Sequence, residues 1–191
     1  LLFAGNTASN NVIGAEFIQV TGATITGNTF SNNSDTGLQI FDSSGITIGG
    51  ALPGDANVFS DNGTGLYTDN VTGLSVQGNS FADNTIGAWL FDTDSAVLSG
   101  TIFTGNTVGV RLEASDNTRL DTVSITTPAG GTGLEIRAGS GGTIVKDITL
   151  SGGLIGVLLD GVGSSMQFEG NNSQFTGMDF YFILANNAMF G

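Results

Sequence analysis

The stretch FSDNGTGL, Phe59 to Leu66, returns as FADNTIGA, Phe81 to Ala88, and again as FTGNTVGV, Phe103 to Val110. Each copy runs from an aromatic through an asparagine to a glycine that opens an apolar-x-apolar triplet. Working outward, that glycine falls at Gly14, Gly37, Gly65, Gly87, Gly109, Gly133 and Gly156, at intervals of 23, 28, 22, 22, 24 and 23 residues. A second column holds Phe30, Phe59, Phe81, Phe103, Ile125 and Leu150. A third holds Asn11, Asn62, Asn84 and Asn106, with Asn33 one residue further from its glycine. A fixed period of this length is the mark of a repeat architecture and precedes any reading of local structure.

Helices do not fit the period. Gly, Asn, Ser and Thr interrupt the apolar alternation every five or six residues, too often for three helical turns. Val, Ile, Thr and Phe in period-two runs indicate short strands. About 22 residues holding two or three such strands make one rung of a parallel β-helix, an all-β solenoid of about 7–8 rungs. Rungs stack ~4.8 Å apart, so equivalent residues lie on one another. The first position after the glycine reads Ala15, Leu38, Leu66, Ala88, Val110, Leu134 and Val157. The third reads Phe17, Ile40, Thr68, Leu90, Leu112, Ile136 and Leu159. Both columns are expected to face inward, with the Thr68 hydroxyl bonded. The Asn column is expected to form a ladder of stacked amides, with asparagine also supplying the left-handed conformation of a sharp turn.

One interval is long. The step of 28 holds GGALPGD, Gly49 to Asp55, so residues 49–57 read as a loop inserted at a turn without shifting the columns. Residues 168–191 read as an irregular final rung. There either Gly177 is an eighth anchor or Phe175 joins the aromatic column, and Met178, Phe180, Phe182 and Leu184 share one inward parity. Residues 1–191 read as one domain, and the missing capping helix suggests a piece of a longer chain or ends covered by neighbouring domains or subunits.

Composition narrows the function. The net charge is −13 with only four basic residues and no histidine, so the basic footprint of a nucleic-acid partner is absent. No apolar run approaches the ~20 residues of a membrane-inserted helix. There is no cysteine for a disulfide framework or thiolate site. Glycine, 31 of 191 residues, lacks a G-X-Y period, which excludes collagen.

The outward positions of the long strand carry the candidate binding residues. Tyr67, Trp89, Arg111 and Glu135 follow one another in one column; Phe41, Phe91, Glu113 and Arg137 lie in the next. Outward aromatics on a flat sheet can stack on sugar rings. They can equally be covered by the Ala51–Ala56 loop, as a lid or as part of one surface, or stay plainly exposed. Arg111 beside Glu135, and Glu113 beside Arg137, form a checkerboard of opposite charges. Structure alone explains such pairs; a site that holds and processes an acidic sugar is the other reading. No catalytic residue and no metal ligand can be assigned. Asp92 and Asp94, with Asp69 nearby, are spaced as turn residues. Calcium at Asp92 and Asp94 has no motif behind it, and no cofactor is expected. GSGG, Gly139 to Gly142, is no phosphate loop, since neither Lys-Ser/Thr nor a helix follows.

ITGNTFSNN, Ile25 to Asn33, and VQGNSFADN, Val76 to Asn84, resemble the repeat of the right-handed parallel β-helix, or pectate-lyase-like, superfamily. The resemblance covers Asn11 to about Leu159. IGG…GDANVFSDN resembles a phrase from β-helix regions of large secreted or surface-attached bacterial proteins. It implies a single right-handed parallel β-helix acting as a non-enzymatic extracellular or cell-surface scaffold or adhesion segment, with polysaccharide as a partner. A polysaccharide lyase or epimerase is the alternative, and the repeating unit of a filament or coat a third. The histidine site of alginate-active relatives has no counterpart in this sequence.

Overall fold

The structure is a computed structural model and describes residues 1–162, 165–183 and 188–190. It contains strands and turns and no helix among the described residues, coiled into a β-solenoid of about 8 turns. Each turn crosses three sheets, and every pairing between turns is parallel. The first sheet runs from Leu2–Ala4 to Ala188–Phe190, the second from Thr7–Ser9 to Asn172–Phe175, and the third from Ile13–Ile18 to Met178–Ile183. Strands of the first two sheets are three or four residues long. The third holds the long ones, among them Thr36–Ser44, Thr64–Thr72 and Ile86–Asp94.

The inward columns fall where the repeat predicts. Leu38, Leu66, Ala88, Val110 and Leu134 pair in sequence along the third sheet, as do Ile40, Thr68, Leu90, Leu112 and Ile136. All are fully buried. The buried Thr68 hydroxyl meets that of Thr93 at 2.9 Å. In the second sheet Phe30, Phe59, Phe81 and Phe103 stack face to face, with centroids 5.0, 4.4 and 4.7 Å apart. Such stacking adds about 0.5–1.5 kcal/mol per pair beyond area burial. The glycine column exists for want of room rather than for a left-handed φ. A Cβ on Gly87 would lie 2.5 Å from the Gly109 carbonyl oxygen and 2.6 Å from the Phe103 ring.

The asparagine ladder is present at the corner between the second and third sheets. Asn33, Asn62, Asn84 and Asn106 pass Nδ2–H to Oδ1 from rung to rung at 2.9–3.0 Å, and each Oδ1 also accepts a backbone N–H. These residues do not adopt the left-handed conformation expected of them. The residue before each does so: Asn32, Asp61, Asp83 and Gly105 have φ of 54–73°. The ladder amide can therefore turn inward while its neighbour takes the strain of the bend.

The inserted loop leaves the stack at the corner between the first and second sheets, where the Asp55 carbonyl accepts the Gly27 N–H at 3.0 Å. The strands on either side stay in register, Ile25 with Ile48 and Phe30 with Phe59. The last rung follows neither expected alignment. Val157 pairs Phe180 and Leu150 pairs Ser173, so Asp179 stands where the glycine would and Ser173 where the aromatic would. Phe180 packs against the core as expected, but Met178 is 52% exposed at the strand's start. Leu184 and the Phe182 side chain lie outside the described residues.

Candidate functional site

The outer face of the third sheet brings the candidate residues together in the expected order. Gln39, Tyr67, Trp89, Arg111 and Glu135 are successive partners in one column; Phe41, Asp69, Phe91, Glu113 and Arg137 are successive partners in the next. Alternation along the strand turns these side chains outward because Leu66, Thr68, Ala88 and Leu90 between them point into the core.

The rings form a continuous run. Phe41 meets Tyr67 edge-on at 5.8 Å and Tyr67 meets Trp89 edge-on at 5.3 Å. The Arg111 guanidinium carbon lies 5.0 Å from the Trp89 ring centroid, a cation–π contact. Phe41, Tyr67, Trp89 and Phe91 are all half-buried. Tyr67 and Trp89 line a shallow recess of about 180 Å³ together with Asp35, Thr36, Gln39 and Thr64. The Trp89 Nε1–H is buried and finds no acceptor among the described residues, a condition that costs about 1–3 kcal/mol. The Tyr67 phenol is pushed above its ordinary range by burial first, then by the Asp69 and Glu113 carboxylates. It stays a protonated donor through the neutral range.

The inserted loop is no lid here. It lines a separate recess with Gln77, Gly78 and Gly100, at a corner that the third sheet does not form. The expectation that it covers the aromatics or shares their surface fails because the insertion lies between a first-sheet and a second-sheet strand.

The ionic neighbours are in register but not paired as a checkerboard. Arg111 Nε donates to Glu135 Oε2 at 2.7 Å, and Arg137 Nε donates to the same oxygen at 3.1 Å. Arg137 thus turns along its own strand to Glu135 rather than across to Glu113. A carboxylate that is almost wholly buried, beside one guanidinium already, attracts the second more strongly than an exposed acid does. Glu113 makes no ion pair among the described residues.

At the third corner Asp42, Asn70 and Asp92 stack, with Asn70 Nδ2–H bonding Asp42 at 2.7 Å. Asp69, beside them, has its carboxyl raised above the usual range by burial, then by Asp92 and Asp42. Asp94 accepts the Asp116 N–H at 2.8 Å, a turn contact. No group of three or more His, Cys, Asp or Glu among the described residues could hold a metal ion.

The sequence model of a protein family described as Periplasmic copper-binding protein (NosD) matches residues 4–149. The chain belongs to the NosD family. No curated protein matches the sequence. Among solved structures, the A-module of the Azotobacter vinelandii mannuronan C-5 epimerase AlgE4 is similar at a TM-score of 0.80 and 17% identity, over 100% of this chain and 57% of that one. A mutant of the periplasmic alginate epimerase AlgG is similar at 0.74 and 15%, over 95% of this chain and 49% of that one. The Streptococcus pneumoniae surface protein and adhesin PfbA is similar at 0.57 and 10%, over 93% of this chain and 64% of that one. The chain spans about half the length of the first two. The fold is a right-handed parallel β-helix of that superfamily.

The residues present do not fit the copper of the NosD description. Copper favours imidazole, thiolate and thioether donors. This chain has no histidine or cysteine. Of its methionines, Met166 is buried in the first sheet and Met178 lies exposed on the third.

Two arrangements escaped the sequence reading. The recess needs Asp35 and Thr36 from one rung and Thr64 from the next, residues that look like ordinary turn fillers. A second amide ladder, Asn6, Asn28, Asn57 and Asn79, closes the first corner at 2.9–3.0 Å per step. Its signal is the asparagine just before each of the first four second-sheet strands.

Proposed function

We propose that this NosD-family chain is a non-catalytic scaffold and adhesion segment of an exported protein, extracellular or at the cell surface, whose third sheet holds an extended polysaccharide. The observation that carries the reading is the run Phe41, Tyr67, Trp89 and Arg111, half-buried and in continuous contact along a flat sheet. Rings fixed at their base and open at their edge offer stacking area at little entropic cost. The periplasmic description of the family and the likeness to an adhesin and to periplasmic and modular epimerases support export and a polymer partner. Affinity electrophoresis through gels containing glycans is the test. Retardation of the wild type that Trp89→Ala reduces at least about fivefold is expected. A wild type that no glycan retards sinks the proposal.

One observation favours a second reading, a lyase or epimerase. Tyr67 is a protonated donor beside the column that holds Asp69 and Glu113, and Arg111 lies two partners along its own column. A general acid beside carboxylates and a guanidinium is a workable proton-transfer group. New unsaturated ends, or inversion at C5, in uronate polymers, lost in Tyr67→Phe, would establish it. Neither product at high enzyme concentration would remove it.

A further inference from the structure

We infer that the third-sheet strip takes neutral, hydroxyl-rich glycans and rejects polyuronates, an inference that rests on the proposed polysaccharide contact. A polyuronate brings one carboxylate per ring, and a strip that holds it must offer uncommitted cations at similar intervals. This strip offers only two cations, Arg111 and Arg137, and one carboxylate, Glu135, binds both. Its two outward columns carry the acids Glu16, Asp69, Glu113, Glu135 and Asp160 against the bases Arg111 and Arg137. Both guanidiniums donate through Nε to one oxygen of the almost wholly buried Glu135. Arg111 also lies against Trp89. The remaining acids, within a chain of net charge −13, set a negative potential over the rings.

What the strip does offer suits hydroxyls. Tyr67 and Trp89 supply ring faces and edges beside a recess whose other lining residues are Asp35, Thr36, Gln39 and Thr64. Carboxylate, amide and hydroxyl groups there can accept or donate to sugar hydroxyls without an ionic partner. Trp89 lines the same recess, and its indole N–H is buried without an acceptor among the described residues. The Asp69 carboxyl is raised by burial first and then by the neighbouring Asp92 and Asp42 carboxylates, the second cause having the same sign as the charge of the strip.

Trp89 is the only tryptophan in the chain, so its emission reports on this strip alone. Titration with laminarin, mannan and xylan, against polymannuronate and polygalacturonate at low salt, separates the outcomes. A neutral glycan is expected to shift Trp89 emission with an affinity insensitive to added salt, and the polyuronates to bind about tenfold more weakly or not at all. Glu135→Gln, checked for folding by circular dichroism, is expected to raise polyuronate affinity severalfold, because it frees two guanidiniums. Tighter binding of polyuronates by the wild type overturns this inference and leaves the polysaccharide contact standing. Neutral binding with unchanged emission, and unaltered by Trp89→Phe, overturns the assignment to this strip. No binding of either class removes both the contact and the inference.

Discussion

From Asn28 to Asn84 three successive turns close both of their first two corners with laddered amides; after Asn79 at the first corner and Asn106 at the second, the corners are closed differently. At the first corner the column continues as Thr101, Val123 and Ile148 before Asn171 resumes it. At the second corner the turn after Thr127 is longer and Gly131 bonds back to Pro128. Three of the four buried side-chain polar groups left without a partner among the described residues, Thr118, Thr127 and Thr143, lie in this later part. The first two sheets differ little between the regions, so at these two corners the difference lies in the turn residues themselves. A ladder amide joins two others, its Oδ1 accepting from one neighbour and its Nδ2 donating to the other, whereas the lone Asn171 bonds only backbone, the Ile148 N–H and the Val145 carbonyl. Once one rung lacks it, packing is the alternative.

The largest effect should come from breaking the ladder at its middle. Asn84 donates to the Phe59 carbonyl at 3.0 Å and to Asn106 at 2.9 Å, and accepts from the Asn62 backbone and side chain. Asn84→Ala removes four buried hydrogen bonds, although Asn106 Oδ1 keeps the residue-84 N–H and Asn62 Nδ2 keeps the Phe30 carbonyl, and is expected to cost about 3–5 kcal/mol in urea unfolding. At the matching kind of position in the later rungs, Val123→Ala removes only apolar contacts. It should cost about 2 kcal/mol. An equal or larger loss at Val123 would show that packing, not the ladder, holds the corners throughout.

How much of this was legible follows from what repeats. Phe81, Asn84, Gly87 and Ala88 have counterparts at fixed distances because rung stacking makes each residue its own neighbour's environment. The third-sheet register followed from them, and so did the order Tyr67, Trp89, Arg111, Glu135 on its outer face. What depends on side-chain choice did not follow. Arg137 could reach Glu113 or Glu135, and only the burial of Glu135 decides. The loop's corner was within reach, since Gly49 precedes a second-sheet strand and not a long one, but the sequence does not say how the corners are arranged around the coil. The last rung was misread because Gly177 and Phe175 carry the right letters two places from the right positions.

A smaller change would sharpen the comparison from the other side. Thr101 stands next after Asn79 in the first-corner column, with its hydroxyl 3.1 Å from the Ser99 carbonyl and 3.4 Å from that of Val76. Thr101→Asn would extend the ladder by one rung, accepting from Asn79 as Asn79 accepts from Asn57. A gain of about 1 kcal/mol is expected in the same unfolding measurement. A loss would mean that the corner narrows after Asn79 and that the ladder ends for want of space.

The smallest effect tests the same stacking with the sign reversed. Identical amides in register help one another because each is donor and acceptor; identical carboxylates in register only repel. Asp42 and Asp92 flank Asn70 in one column, and Asp69 beside them is raised by burial and by both. A carboxyl raised in the folded state favours folding most when protonated. Its contribution is fully present below the ordinary aspartate value and is lost as pH rises through the folded one. Asp69→Asn should therefore match the wild type in acid and exceed it near neutral pH, by less than about 0.5 kcal/mol, since the group is only partly buried and solvent screens it. Urea unfolding across about pH 3–7 reads the difference. The contact with the Tyr67 hydroxyl acts in the opposite direction as the weakest of the causes. If Asp69→Asn is the less stable protein at neutral pH, that contact outweighs the repulsion and Asp69 belongs to the aromatic strip as a partner of Tyr67.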